Sequence, residues 1–460
     1  MDRRQNARVE QRCRQVRRVG GATNADAFFD LLTDPVLLEF IDARLPAHRE
    51  RLYAPTQTLS MFMSQALNAD RSCQNAVTEV QMQRRSVGLP EVSASTGGYC
   101  RARRRLPLEL VQALLQESAR IGTEAMRPEW LWRGRRVRLV DGTTLSMPDT
   151  VANQAQYPQS ASQAPGLGFP LCRMVAIICL GTGVTLDAAL APQCGKGSDE
   201  QSLLRSLLGA LADGDVLVGD AYYCTYFLLC ELIARGVDGV FELHGARRRS
   251  TDFRRGTRLG TRDHLIEWRK PARPEWMSAD VYQTIPDTLP VREVASGGRI
   301  LISTLRCPRQ TPKAALKALY RDRWHIELDL RHIKSTLGMD VLSCRSPEMV
   351  DKEIFVYLLA YNLIRLMMAN AAVHARCRPR QLSFKHAVQS WLSWWQRGGE
   401  AAISADELWR WMGQRRVGNR PGRSEPRAVK RRPKPHPLMT VPRATATAQT
   451  DARRQQQRAK

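Results

Sequence analysis

The stretch Val216–Leu243, VLVGDAYYCTYFLLCELIARGVDGVFEL, decides the fold class. Val216-Leu-Val-Gly-Asp220 is a short, continuous apolar run closed by an acid, the pattern of a strand covered on both faces. Tyr226 to Ala234 follows at helical spacing, and Val237 to Leu243 is a second strand. Working outward, Val137-Arg-Leu-Val-Asp141 is another strand that ends in an acid. Arg173 to Leu180 and Val184 to Leu190 flank Gly181-Thr-Gly183 and read as a hairpin, and Gln201 to Leu211 is an amphipathic helix. Three strands, a helix, a strand, a helix and a strand predict a mixed α/β sheet with flanking helices.

The flanks differ in character. From Asp26 to about Arg127, apolar residues recur at three-to-four spacing, as in Phe28 to Leu32, Val36 to Ile41 and Leu59 to Leu67, which predicts an N-terminal all-α domain. Within it, Gly97-Gly98 marks a turn before Tyr99-Cys-Arg-Ala-Arg-Arg-Arg105, a helix start carrying Arg101, Arg103, Arg104 and Arg105. Such a helix either lies along a DNA backbone or is a solvated basic face. His244 to Cys307 has short strand-like runs with Pro/Gly punctuation, and Arg247 to Arg273 holds ten basic and three acidic residues. It reads as a β-rich insertion lying against a polyanion. Helical regions follow from Pro312 to Leu337 and from Ile354 to Met368. Residues 414–460 hold fourteen Lys or Arg and two acids, with many prolines, and read as a disordered basic tail.

These segments divide the chain into 1–130, a helical domain; 131–375, a mixed α/β domain with the insertion at about 244–310; 376–413, a C-terminal helical region; and the tail at 414–460. At 460 residues the chain is long enough for two or three domains. Lys and Arg number 70 against 45 Asp and Glu, a formal charge of +25, which makes a polyanion the default partner. An apolar share of 43% places that charge on a folded protein. Eleven scattered cysteines with no C-x-x-C pair argue against a zinc module and for a reduced, cytoplasmic chain. The Arg-rich stretch to Arg18 has no apolar segment behind it, so no secretory signal is expected. Ile354 to Val373 is long enough to span a bilayer but carries Asn362, Arg365 and Asn370, so a buried helix is expected and no membrane partner.

Asp141 and Asp220 each close an apolar strand, where ligand sites of α/β sheets collect. A third acid comes from Tyr320-Arg-Asp-Arg-Trp-His-Ile-Glu327-Leu-Asp-Leu-Arg-His-Ile-Lys334. On an ideal helix Tyr320, Arg323, Glu327 and Lys334 fall at about 0°, 300°, 340° and 320°, one stripe. Asp322 and Asp329 fall near 200° and 180°, on the far side, which leaves Glu327 as the acid of that stripe. By itself the stripe is also an ordinary surface salt-bridge pattern. Together with the two strand-end acids, it makes a set of three carboxylates able to hold two metal ions, with a tyrosine and cations beside them to grip phosphate oxygens. Oxygen ligands without histidine favour magnesium or manganese over zinc.

The order Asp, Asp, Glu, with Y-x-x-R-x-x-x-E-x-x-x-x-x-x-K on the last helix, resembles the DDE transposases of bacterial insertion sequences of the Y-R-E-K class. The likeness extends to Val140-Asp-Gly-Thr143, Val218-Gly-Asp220 and Gly338-Met-Asp-Val-Leu342, about half of the chain. The resemblance implies a ribonuclease H-like core in which Asp141, Asp220 and Glu327 are catalytic and bind two Mg2+ ions, with Mn2+ able to substitute. It implies that Tyr320, Arg323 and Lys334 contact DNA at the transposon end, and that a homodimer forms on double-stranded DNA, in the bacterial cytoplasm at the nucleoid. In two places the chain departs from the pattern. Ala221 stands where family members often carry an arginine, and Ile300 stands near a tryptophan position used to hold a flipped base, with Trp268 and Trp276 the substitutes within the insertion. The activity implied is cleavage at the element's ends and joining of the 3′-hydroxyls to target DNA. The alternatives are a nuclease that cuts without joining and an inactive remnant that acts as a repressor.

Overall fold

The computed structural model describes residues 52–86, 88–245, 251–396, 403–418 and 439–458. The expected helices between Phe28 and Ile41, the Arg-rich stretch to Arg18, and Arg247, Arg248 and Arg249 of the insertion lie outside these described residues. In chain order the helices α1 (Pro55–Leu67), α2 (Cys73–Ser86), α3 (Gly97–Arg105) and α4 (Leu108–Glu124) precede the first strand. Then come β1 (Val137–Ser146), α5 (Val151–Gln156), β2 (Leu171–Cys179), β3 (Thr185–Pro192), α6 (Glu200–Leu207), β4 (Val216–Gly219), α7 (Tyr226–Ala234) and β5 (Asp238–Glu242). The insertion supplies β6 (Thr257–Gly260), β7 (Asp263–Arg269), α8 (Ala279–Thr284), β8 (Thr288–Ser296) and β9 (Arg299–Ser303). After it stand α9 (Lys313–Asp322), α10 (Trp324–Arg331), α11 (Pro347–His374), α12 (Phe384–Gln396), α13 (Ala405–Gly413) and α14 (Arg443–Arg458).

The strands form one mixed sheet in the order β3-β2-β1-β4-β5-β9-β8-β7-β6. β1 runs parallel to β4 and β4 to β5; α7 crosses from β4 to β5, whereas the chain reaches β4 from β1 through the antiparallel β1–β2–β3 meander and α6. The insertion does not stand apart. β9 pairs antiparallel with β5, so the strands of the insertion prolong the central sheet. One extended core, from Leu59 of α1 to Met412 of α13, joins the sheet to the helices around it.

α11 is the spine of that core. Of its most apolar eighteen-residue stretch, 94% is buried by protein, as Asn362 and Arg365 at its centre require. Asn362 accepts from the Thr185 backbone N–H at 2.7 Å and donates to Thr185 O and Ser118 Oγ, and Arg365 pairs with buried Asp329. Polar groups satisfied this fully belong to a protein interior.

Three expectations about single elements are corrected. β1 does not stop at Asp141 but runs on to Ser146, because β2 keeps pairing with it after β4 has ended. The helix expected from Pro312 to Leu337 breaks at Arg323 and widens into a π-helical turn at His332–Thr336. In the basic tail, Arg443–Arg458 forms helix α14, since Ala, Gln and Arg are good helix formers once the prolines end at Pro442.

Candidate active site

Parallel register brings the first two acids together. Val137 pairs with Val216 and Leu139 with Val218, so Asp141 and Asp220, each two residues further on, lie level and on the same face of the sheet. β4 ends at Gly219 because Asp220 turns to cap the short helical turn Ala221–Tyr223, accepting the Tyr222 N–H at 2.8 Å. The notch left beside β1 is where Asp141 emerges. Burial pushes the Asp141 carboxyl up to about 6. The charges of Asp220 and Glu200 push the same way, against the Gly142 N–H and Arg323.

α10 brings up the third acid. Arg323 Nη2 donates to Glu327 Oε1 at 2.9 Å while its Nη1 stands 4.0 Å from Asp141 Oδ2, so one guanidinium bridges the first and third acids. Tyr320 is buried and donates its hydroxyl to Glu242 Oε2 at 3.1 Å, at the end of β5; burial and that carboxylate raise its pKa. The π-helical turn carries Lys334 onto β1, where its ammonium donates to Thr143 Oγ1 at 3.1 Å and Thr144 O at 2.9 Å; burial lowers its pKa. The four residues of the stripe therefore stand along one front, from the end of β5 to β1. Beside Arg323 a cleft of about 810 Å³ is lined by Arg299, Lys317, Tyr320, Arg321 and exposed Trp324, cations and aromatics without an acid.

Among the described residues, no three acid, histidine or cysteine side chains stand close enough as placed to hold a metal. The arrangement nevertheless fits a divalent cation. Asp141, Asp220 and Glu327 offer hard oxygen donors, and burial with the nearby charges of Asp220 and Glu200 raises the Asp141 carboxyl despite Arg323, a setting in which added positive charge is favourable.

Comparison with known proteins bears on the same residues. The sequence matches the family described as Transposase DDE domain over residues 132–363, a span that includes all three acids. The chain belongs to the DDE transposases. Over 352 residues the transposase is 29% identical to transposase InsG for insertion sequence element IS4 of Escherichia coli (strain K12), covering 73% of this chain and 76% of that one. A cryo-EM structure of the piggyBac transposase synaptic complex with hairpin DNA overlaps 89% of this chain and 88% of its own, at 11% identity and a TM-score of 0.41.

The basic helix of the transposase divides in two. Arg101, Arg104 and Arg105 on α3 are exposed, but Arg103 points inward and leaves the expected DNA-facing set. It donates to Gln65 Oε1 at 3.2 Å and stacks over Phe62 and Tyr99, because on a helix this amphipathic one arginine in four must face the core. Of the tryptophans in the insertion, Trp268 is buried and donates to Glu293, whereas Trp276 is half exposed beneath Arg205 at 3.8 Å.

Glu200 escaped the sequence reading. Asp199-Glu200 before an apolar run carries only the signal of a helix start, and Asp199 is indeed the cap of α6. Only the fold brings Glu200 against Gly142, beside the first acid.

Proposed function

We propose that the transposase cuts phosphodiester bonds at the ends of its element and joins the resulting 3′-hydroxyls to target DNA by two-metal phosphoryl transfer on a ribonuclease H-like core. What supports this reading is a single observation: the matched family span contains Asp141, Asp220 and Glu327, with Asp220 level with Asp141 by strand register and Arg323 reaching both Asp141 and Glu327. In this reading they hold two Mg2+ ions, or Mn2+, which supply positive charge to activate the attacking oxygen and stabilise the leaving one.

The chain's own residues do the rest. Arg323, now tied to carboxylates, is freed to meet a phosphate once the acids have another countercharge. Lys334 and Tyr320 border the same notch, and with Arg323 they seat the DNA at the element's end. In the first step water attacks the phosphodiester and the bond to the 3′-oxygen breaks, leaving a 3′-hydroxyl and a 5′-phosphate. In the second that hydroxyl attacks a target phosphodiester; the new 3′-oxygen–phosphorus bond forms as the target strand's own 3′-oxygen leaves as a free 3′-hydroxyl, and one site serves both steps. Arg101, Arg104 and Arg105 bind backbone phosphates from the N-terminal helical domain, within 1–130. The catalytic domain spans 131–375, including the insertion, and 376–413 forms the C-terminal helical region. Two ends brought together call for a homodimer on double-stranded DNA, at work in the bacterial cytoplasm.

Incubation with end DNA, a target plasmid and Mg2+ tests the reading. Joined products are expected; cleavage without joining would identify a nuclease. Asp220→Ala is expected to abolish cleavage and keep DNA binding, whereas a repressor would be indifferent to that change.

A further inference from the structure

We infer that Tyr223, Glu200 and Gly142 form a strut that sets the spacing of Asp141 and Asp220. The inference rests on the proposed reading of those two acids as metal-holding groups, and it assigns Glu200 and Tyr223 as positioning residues.

The strut runs without a gap from one acid to the other. Asp220 caps the turn 221–223 through the Tyr222 N–H. From that turn the fully buried Tyr223 donates its hydroxyl to Glu200 Oε2 at 3.0 Å. The Glu200 carboxyl lies against Gly142, in the volume a Cβ would take. Gly142 in turn donates its N–H to Asp141 Oδ1 at 2.9 Å. A side chain at 142 would displace the Glu200 carboxyl from this seat.

The end of the strut on α6 is itself fastened. Asp199 caps the helix, accepting from the N–H groups of Gln201 and Ser202 at 3.0 and 3.1 Å. Gln201 Nε2 donates to Tyr222 O at 2.7 Å, a second tie to the turn after Asp220, and Arg173 Nη1 donates to Ser198 O at 2.6 Å, a tie to β2. A half-buried carboxylate held this firmly, with one oxygen on a buried tyrosine, fixes the backbone it packs against. Groups that orient metal-holding carboxylates without touching the ion typically change metal affinity by roughly 10–100-fold when removed.

The test uses the full-length transposase and counts bound Mn2+ by electron paramagnetic resonance, alongside the Mg2+ concentration that half-saturates cleavage of end DNA. Tyr223→Phe, which removes one hydroxyl and keeps the packing, and Glu200→Ala are expected to weaken Mn2+ binding by roughly tenfold or more. Glu200→Gln, which keeps shape and an acceptor for Tyr223, is expected to restore binding to near the parent value. Parent-like Mn2+ affinity in Glu200→Ala and Tyr223→Phe would overturn the strut. So would a Glu200→Gln as damaged as Glu200→Ala, since the charge and not the brace would then be what matters. Asp141→Asn is the control. If it loses Mn2+ while the strut variants do not, only the strut fails; if it too keeps Mn2+, the metal-holding reading falls with it.

Discussion

Glu327 and Asp329 sit two residues apart on α10, and each meets arginine, yet the two arrangements are opposite in kind. Asp329 is fully buried between Arg365 and Arg380, at 2.5 and 2.8 Å, with Arg380 donating to both carboxylate oxygens. Burial alone would raise its pKa; the two guanidiniums overcome that and hold it below the usual carboxylate range. Glu327 is 31% exposed and shares one arginine with Asp141, whose own pKa is driven up. Two cations to one acid closes a core. One cation shared between two acids, with Asp220 and Glu200 adding negative charge around Asp141, leaves carboxylates outnumbering the cations that reach them, beside a cleft lined with further cations.

The largest expected contrast comes from changing the two acids in parallel. Glu327→Gln should cut the rate of end cleavage by roughly a thousandfold and leave the urea midpoint in place. Asp329→Ala should cost about 3–5 kcal/mol of stability, because two buried guanidiniums lose their partner. Equal losses of stability from both changes would break the distinction between them.

A smaller contrast separates two neighbours on α3. Arg103→Ala should lower stability by about 1–3 kcal/mol, through its lost bond to Gln65 and a buried acceptor left with one partner fewer. Arg104→Ala should leave the melting curve alone and reduce the slope of log K against log salt by about one. Thermal melts and binding titrations at several salt concentrations would show whether the inward and outward arginines divide in this way.

The smallest effect is expected from Lys334→Ala, which removes one cation from the edge of the notch. DNA binding should weaken to a similar extent for every sequence tested, with a salt slope smaller by about one. A loss confined to one end sequence would instead assign Lys334 to base recognition.

Much of the architecture was legible because it is written in short-range periodicity. The strands from Val137 and Val216, the hairpin around Gly181–Gly183, and α7 at Tyr226–Ala234 follow from apolar spacing that any neighbouring residues display. Burial of α11 followed from Asn362 and Arg365, polar groups that a bilayer would leave without partners. Helical angles also separated Glu327 from Asp329, since the break at Arg323 keeps helical dihedrals and the π-helical turn begins only after both.

Sequence alone determined which acids and cations are candidates for the site and which elements carry them, because residue type and local period need no knowledge of the rest of the chain. Tertiary structure decided which of them meet. Parallel pairing of β1 with β4 levels Asp141 with Asp220, the widened turn swings Lys334 onto β1, packing turns Arg103 inward, and Gly142 receives Glu200 from 58 positions further along the sequence. The physical reason is the same in each case: register, the filling of space and the neutralisation of charge are settled between elements far apart in the chain, and no window of sequence contains both partners.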